Sequence, residues 1–225
     1  MVPLHRHQIA WLSEAGWRRL EERDWDATAR DCIARWATMR LPLVVTRQAD
    51  TASDRLIALG LPAPARWGHR RLALTVPRSD VLYFDEFPVA EKALGLLPVP
   101  ARPAWRSLCA DLKAAQANAR VYGSYGWQLL SGFAHVHAGS DIDLWLPVSN
   151  ADQADRVAAC LHGASADLPR VDGELMFDDG AAVAWREWRA WRAGQVKSLL
   201  VKTIAGHSLV HARCWQGASA VAEAA

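Results

Sequence analysis

Apolar and polar positions alternate along the chain with two different periods, and the switch between them marks the elements. Trp25, Ala29, Cys32, Ile33 and Trp36 recur at helical spacing and predict a helix from about Asp24. Leu41-Pro42 ends it, because proline has no amide donor and its ring crowds the preceding turn. Leu43-Val44-Val45-Thr46 predicts a strand, and the alternation in Arg71-Leu72-Ala73-Leu74-Thr75-Val76 predicts another. The intervening Leu59-Gly60-Leu61-Pro62-Ala63-Pro64 reads as a loop, and residues 8–20 hold only a short apolar segment followed by Gly16-Trp17. These elements amount to a small α/β module.

Pro98, Pro100 and Pro103 crowd one short stretch and predict a domain boundary, with a first domain over 1–98 and a second over 104–216. Trp105, Leu108, Leu112 and Ala115 line one face of a helix. Arg120-Val121-Tyr122 reads as a short strand running into Gly123-Ser124, and residues 125–131 begin a helix. Ile142, Leu144 and Leu146 alternate with Asp141, Asp143 and Trp145 on a further strand. Ser149-Asn150 followed by Asp152-Gln153 is a helix start, a capping side chain with an acceptor just beyond it. Residues 170–177 and 181–187 read as a hairpin closed by Asp178-Asp179-Gly180. Val196, Leu199, Leu200 and Thr203 suggest a last helix, and the Ala/Ser/Gly-rich 217–225 a frayed tail. The expected fold class is α+β: a C-terminal mixed sheet flanked by helices, with a smaller N-terminal α/β domain.

Composition narrows the function classes. Half of the residues are apolar (51%), enough for a proper core, and the net charge is only +2. No concentrated basic stripe is present, which disfavours nucleic acid as the main substrate. No apolar run reaches the length of a membrane span or a signal peptide, so the expected location is the cytoplasm. Cys32, Cys109, Cys160 and Cys214 are scattered without a Cys-x-x-Cys pair and read as small core residues, not as a zinc site or a disulfide framework. The 12 tryptophans are spread along the chain and read as packing.

The chemistry concentrates between Tyr122 and Leu144. Residues two apart on a strand face the same way, so Asp141 and Asp143 present two carboxylates side by side. Adjacent carboxylates repel unless a cation lies between them, and Mg²⁺ (or Mn²⁺) accepts one or two carboxylates together with phosphate oxygens. Ile142 and Leu144 anchor the opposite face in the core, giving the pair a rigid mounting. Gly123 lets the backbone approach a ligand, and the amides of the following helix start, with the Ser124 hydroxyl, suit the phosphates of a donor. A third carboxylate belongs on a neighbouring strand; Asp172 and Glu174 share the required parity, with Asp172 preferred. The set describes a metal-dependent nucleotidyltransferase.

Other residues add less. Lys197 and Lys202, two of only four lysines, suit the neutralisation of a triphosphate. Arg186, Arg189 and Arg192 form either a solvated surface or a patch for an acidic partner. His135, His137 and His69 read as loop or packing residues.

The Gly-Ser and Asp-x-Asp arrangement resembles the nucleotidyltransferase superfamily of DNA polymerase beta, and Arg170-Val171-Asp172 resembles that superfamily's third-carboxylate strand. A narrower likeness runs through Gly123-Ser124-Tyr125-Gly126-Trp127-Gln128, Ser131-Gly132-Phe133, Ser140-Asp141-Ile142-Asp143-Leu144, Asp172-Gly173-Glu174-Leu175 and Val183-Ala184-Trp185-Arg186-Glu187, with an echo at Arg6-His7-Gln8. It is similar to the malonate decarboxylase holo-acyl-carrier-protein synthases, also called phosphoribosyl-dephospho-CoA transferases. That resemblance implies a nucleotidyltransferase-like catalytic domain. It implies transfer of a prosthetic group from 2′-(5-triphosphoribosyl)-3′-dephospho-CoA to a serine of the apo acyl carrier subunit of malonate decarboxylase, with release of diphosphate. The family's two catalytic aspartates map onto Asp141 and Asp143. Two other readings stand beside it: a nucleotidyltransferase acting on a small molecule or an RNA end, and a catalytically inactive binding protein on the same fold.

Overall fold

The computed structural model describes residues 4–48 and 55–211; the tail expected over 217–225 and Cys214 lie outside them. The chain opens with β1 (Ile9–Leu12), α1 (Glu14–Glu21), α2 (Ala27–Thr38), β2 (Leu43–Val45), β3 (Leu56–Pro62), β4 (Arg71–Pro77) and β5 (Val81–Asp85). The side chains of Ser13 and Asp26 cap the two helices by accepting from the amides of Gly16 (3.1 Å) and Ala29 (3.0 Å), satisfying donors that a helix start leaves open. The five strands form one antiparallel sheet in the order β4-β3-β2-β1-β5. Its core holds Trp36, Ile33, Leu20, Leu43 and Leu59.

Strand β3 replaces the loop expected around Leu59–Pro64. Ile57, Leu59 and Leu61 are all buried, a period-two pattern that outweighs the two breakers. Gly60 lies close against Val44 of the neighbouring strand and Thr46 just beyond it, and Pro62 falls at the strand's last position.

The connecting segment, built of 3-10 turns, buries Ala90, Ala93, Leu97 and Ala101 in a second core. There follow α3 (Arg102–Ala114), β6 (Arg120–Tyr122), α4 (Gly123–Ser131), β7 (Ile142–Val148), α5 (Ala151–His162), β8 (Val171–Phe177), β9 (Ala182–Ala184), α6 (Trp185–Arg192), β10 (Ser198–Lys202) and β11 (His207–His211). The six strands run in the order β11-β10-β9-β8-β7-β6. Strands β7 and β8 are parallel, joined through α5, and the other neighbours are antiparallel, so the sheet is mixed and the fold α+β as expected. Ile142, Leu144, Leu146 and Val148 face the helical side and are essentially fully buried.

Two local expectations change. The second arm of the expected hairpin is strand only over Ala182–Ala184; from Trp185 it turns helical, because Trp185 and Trp188 bury one face at a spacing of three. The stretch around Leu199 is a strand, not a helix. Leu199 and Val201 are buried while Ser198, Leu200 and Lys202 are half-buried, a strict alternation.

The two cores interlock through aromatic rings. Trp127 of α4 meets Phe87 edge-on at 5.3 Å, and Phe133 packs on Trp36 (5.5 Å) and Trp67 (5.3 Å). The segment that carries the Gly-Ser motif is thereby seated on the N-terminal domain.

Candidate active site

Strand β6 delivers the chain to Gly123, and register sets what stands beside it. Tyr122 is opposite Asp143 on β7, and Asp143 is opposite Asp172 on β8. Asp141 lies one residue before β7, and the Ile142 amide donates to the Arg170 carbonyl at 2.8 Å, tying the strand starts together. The structure thus brings Gly123, Asp141, Asp143 and Asp172 together at one end of strands β6, β7 and β8.

Gly123 has φ +58, a left-handed conformation that costs other residues free energy. A β-carbon there would lie 2.0 Å from Asp143 Oδ2. The Asp143 carboxylate therefore occupies the space that a side chain at 123 would fill, directly beside the start of α4. No side chain caps that helix start, so its amides are available to an anion.

Charge in this row is not balanced. Burial, then Asp172, Asp141 and Glu174, push the Asp143 carboxyl up to about 6, against a smaller lowering by Arg170. The Arg170 guanidinium spans the row's outer side, 3.3 Å from Asp172 Oδ2 and 3.8 Å from Asp141 Oδ2. The neighbouring Tyr122 hydroxyl is raised well above its usual value by burial and by Glu174, Asp143 and Asp172.

The two candidates for the third carboxylate part company here. Asp172 is across from Asp143 and partly exposed, holding Arg170 and its neighbour's amide at Gly173 (2.9 Å). Glu174 is buried and taken up by three partners: Lys202 Nζ at 2.8 Å, His7 Nε2 at 2.9 Å, and Arg6 at 3.3 and 3.4 Å. Burial raises its pKa, but hydrogen bonds from His7 and Lys202 and the charge of Arg6 outweigh that and hold it well below the carboxylate range. Lys202 thus reaches the same sheet face, whereas Lys197 is exposed in the bend before β10. Five positions along a strand separate the two lysines by roughly 17 Å.

Arg6 and His7 come from the first described turn of the N-terminal domain, and sequence patterning assigned them no role. The His7 ring stacks on Tyr122 at 3.9 Å and has φ +63. His5 approaches Trp145 at 5.7 Å and bonds Glu86 at 2.8 Å. The N-terminal segment therefore lies across the carboxylate face of the second domain's sheet.

The loop leading to Asp141 has its own fasteners. The Gln128 side-chain oxygen accepts from the amides of His135 (3.0 Å) and Val136 (2.8 Å), and Ser140 Oγ accepts from the His137 amide (3.0 Å). His135 is buried with Nε2 unpartnered, and burial, then His69, lower its pKa to about 4. Of the arginines on α6, Arg192 pairs with Asp155 (2.6 Å) and Arg186 donates to the Val171 carbonyl (2.9 Å), while Arg189 is half-buried.

No three histidine, cysteine or carboxylate side chains among the described residues close around a single point. The row is instead an open set of hard oxygen donors with excess negative charge. That suits a cation which takes one or two carboxylates and fills its remaining positions with substrate phosphate and water. No helix among the described residues is long and apolar enough to cross a membrane.

Comparison with known proteins covers nearly the whole chain. Residues 5–87 match the family model for the phosphoribosyl-dephospho-CoA transferase MdcG N-terminal domain, and residues 88–213 match the model for its C-terminal domain. The chain is 36% identical over 203 residues to a phosphoribosyl-dephospho-CoA transferase of Bradyrhizobium diazoefficiens, covering 90% of this chain and 88% of that one. It is 31% identical to the protein of that name from Xanthomonas euvesicatoria, over 88% of this chain and 90% of the relative. It is 34% identical to that from Pseudomonas syringae, over 80% and 84%. No solved structure matches it.

Proposed function

The chain belongs to the phosphoribosyl-dephospho-CoA transferase MdcG family, and from that premise we propose that it loads the prosthetic group of malonate decarboxylase. The donor is 2′-(5-triphosphoribosyl)-3′-dephospho-CoA and the acceptor a serine of the apo acyl carrier subunit. The serine oxygen forms a bond to the α-phosphorus, the bond to the diphosphate breaks, and diphosphate leaves with the electron pair. The observation that carries this reading is the register that puts Asp143 between Gly123 and Asp172, with Asp141 at the strand start.

Each residue has a task in that chemistry. The open amides of α4 at Gly123-Ser124, with the Ser124 hydroxyl, hold phosphate oxygens of the donor. Asp141 and Asp143, with Asp172, would hold Mg²⁺ or Mn²⁺. When bound, the ion supplies positive charge to the phosphate oxygens on which negative charge gathers. Asp172 is also placed to take the proton of the attacking serine at a carboxylate oxygen, once its contact with Arg170 loosens. Lys202 faces the same side and contributes to phosphate binding; Lys197, exposed in the bend before β10, is the second lysine available to the donor's phosphates. Arg186, Arg189 and Arg192 on α6, of which Arg186 is exposed and Arg189 half-buried, are elements of a docking surface for an acidic carrier. The site serves a reaction in the cytoplasm, where the carrier is made.

The test is diphosphate release from triphosphoribosyl-dephospho-CoA with Mg²⁺, with and without the apo carrier, with the carrier read by intact mass. Carrier-dependent release together with a mass gain equal to the transferred group establishes donor, acceptor and reaction. Absence of a mass gain, beside an active control synthase, rules out this acceptor and donor pair.

A further inference from the structure

Resting on the reading of the carboxylate row as a phosphoryl-transfer centre, we propose that Arg6, His7 and Lys202 form a polyphosphate-binding subsite contributed by both domains. Three cationic or donor side chains converge on the single carboxylate of Glu174, from residues far apart in the chain. One carboxylate carries one negative charge, whereas Arg6 and Lys202 bring two positive ones, so the cluster holds cationic charge that Glu174 alone does not neutralise. The Arg6 guanidinium spends only two long contacts, of 3.3 and 3.4 Å, and an ammonium at Lys202 spends one of three hydrogens. The surplus is reachable: the Arg6 and Lys202 side chains keep 26% and 33% of their exposure, against 7% for Glu174.

Placement gives the surplus a purpose. Glu174 follows Asp172 by two residues on β8, so the cluster is about 7 Å along the strand on the same face. A polyphosphate that starts at a metal-bound phosphate covers that distance in more than one P–O–P link. Glu174 acts as the bracket that keeps the cations assembled when no anion is present. The backbone at His7 supports the same view. A left-handed φ at a non-glycine residue is held against its own preference, and such outliers concentrate at ligand-gripping positions. His7 is held there by Glu174 and by the face of Tyr122, the residue that leads into Gly123. The ligand class is a linear polyphosphate ester, and the N-terminal domain becomes part of the catalytic site.

The test titrates the full-length protein with inorganic tripolyphosphate in EDTA, by calorimetry at fixed ionic strength. Arg6→Gln and Lys202→Met are each expected to weaken binding about tenfold or more, as loss of a charge-assisted hydrogen bond does. Glu174→Gln is expected to strengthen it, because the competing charge is removed while the shape is kept. Unchanged affinity in folded Arg6→Gln and Lys202→Met, or no binding by the wild type, overturns the subsite and leaves a structural clasp. Should Arg6→Gln not fold, Lys202→Met decides by the same criterion, since its side chain is the more exposed. Neither donor nor carrier is in the cell, so failure of carrier loading with these affinities intact would sink the functional reading alone.

Discussion

Asp143→Asn should abolish transfer and yet make the protein more stable. The Asp143 carboxyl sits at about 6 rather than 3.8, raised first by burial and then by Asp172, Asp141 and Glu174. Its folded-state pKa is above its unfolded value, so the folded protein binds this proton more tightly. The linked stability falls as pH climbs through the window from 3.8 to about 6, and the full penalty is present above it. At roughly 1.4 kcal/mol per pKa unit the ceiling is about 3 kcal/mol, and partial solvent access brings the expected gain in the asparagine variant to about 1–2 kcal/mol. For a chain of this size that is a rise in Tm of about 3–6 °C. The assay is thermal melting of both proteins in EDTA across a pH series, beside carrier loading with Mg²⁺. The difference in Tm should be near zero at about pH 4 and open fully by about pH 8. A variant that melts at or below the wild type at about pH 8, or a difference that ignores pH, refutes the argument that burial of the Asp143 charge, and then its like-charged neighbours, cost stability.

Other predictions follow from the same geometry. Gly123→Ala must leave the left-handed region, at about 1–2 kcal/mol, and push Asp143 aside; loading should fall more than tenfold, whereas Gly132→Ala, with a similar φ of +71 and open space around it, should lose stability but keep activity. Asp172→Asn should cut turnover by at least tenfold with little change in Tm, measured as initial diphosphate release under saturating donor. A buried His135, lowered to about 4, favours the neutral ring in the fold; its contribution is intact above 6.5 and is lost as pH falls toward about 4. His135→Phe should therefore flatten the acid side of a Tm-against-pH curve. Chelation with EDTA should stop carrier loading, and excess Mg²⁺ should restore it; loading that persists in chelator counts against the metal reading.

Much of the architecture is legible in local patterns. The helix from Ala27 to Thr38, the strand from Ile142 and the capped helix after Asn150 each carry their own periodicity and end signals. Where the signals compete over a few residues, the patterning misleads. Gly60 and Pro62 disguise β3, and Val196 with Leu199 and Leu200 imitates a helix where burial alternates along β10. In both cases pairing with neighbouring strands, β4 for β3 and β11 for β10, supplies the hydrogen bonds that decide the matter, and periodicity within one segment does not report that pairing.

The same division runs through the candidate site. By itself the chain places Asp141 and Asp143 on one face, two residues apart, and sets Gly123-Ser124 at a strand-to-helix turn, because side-chain direction and glycine's freedom are local properties. Parity makes Asp172 and Glu174 equivalent. Only the tertiary structure separates them: parallel register sets Asp172 opposite Asp143, while Arg6, His7 and Lys202 converge on Glu174 from both ends of the chain. Which charge neutralises which is a question of distance in space, and periodicity along the chain carries no information about it.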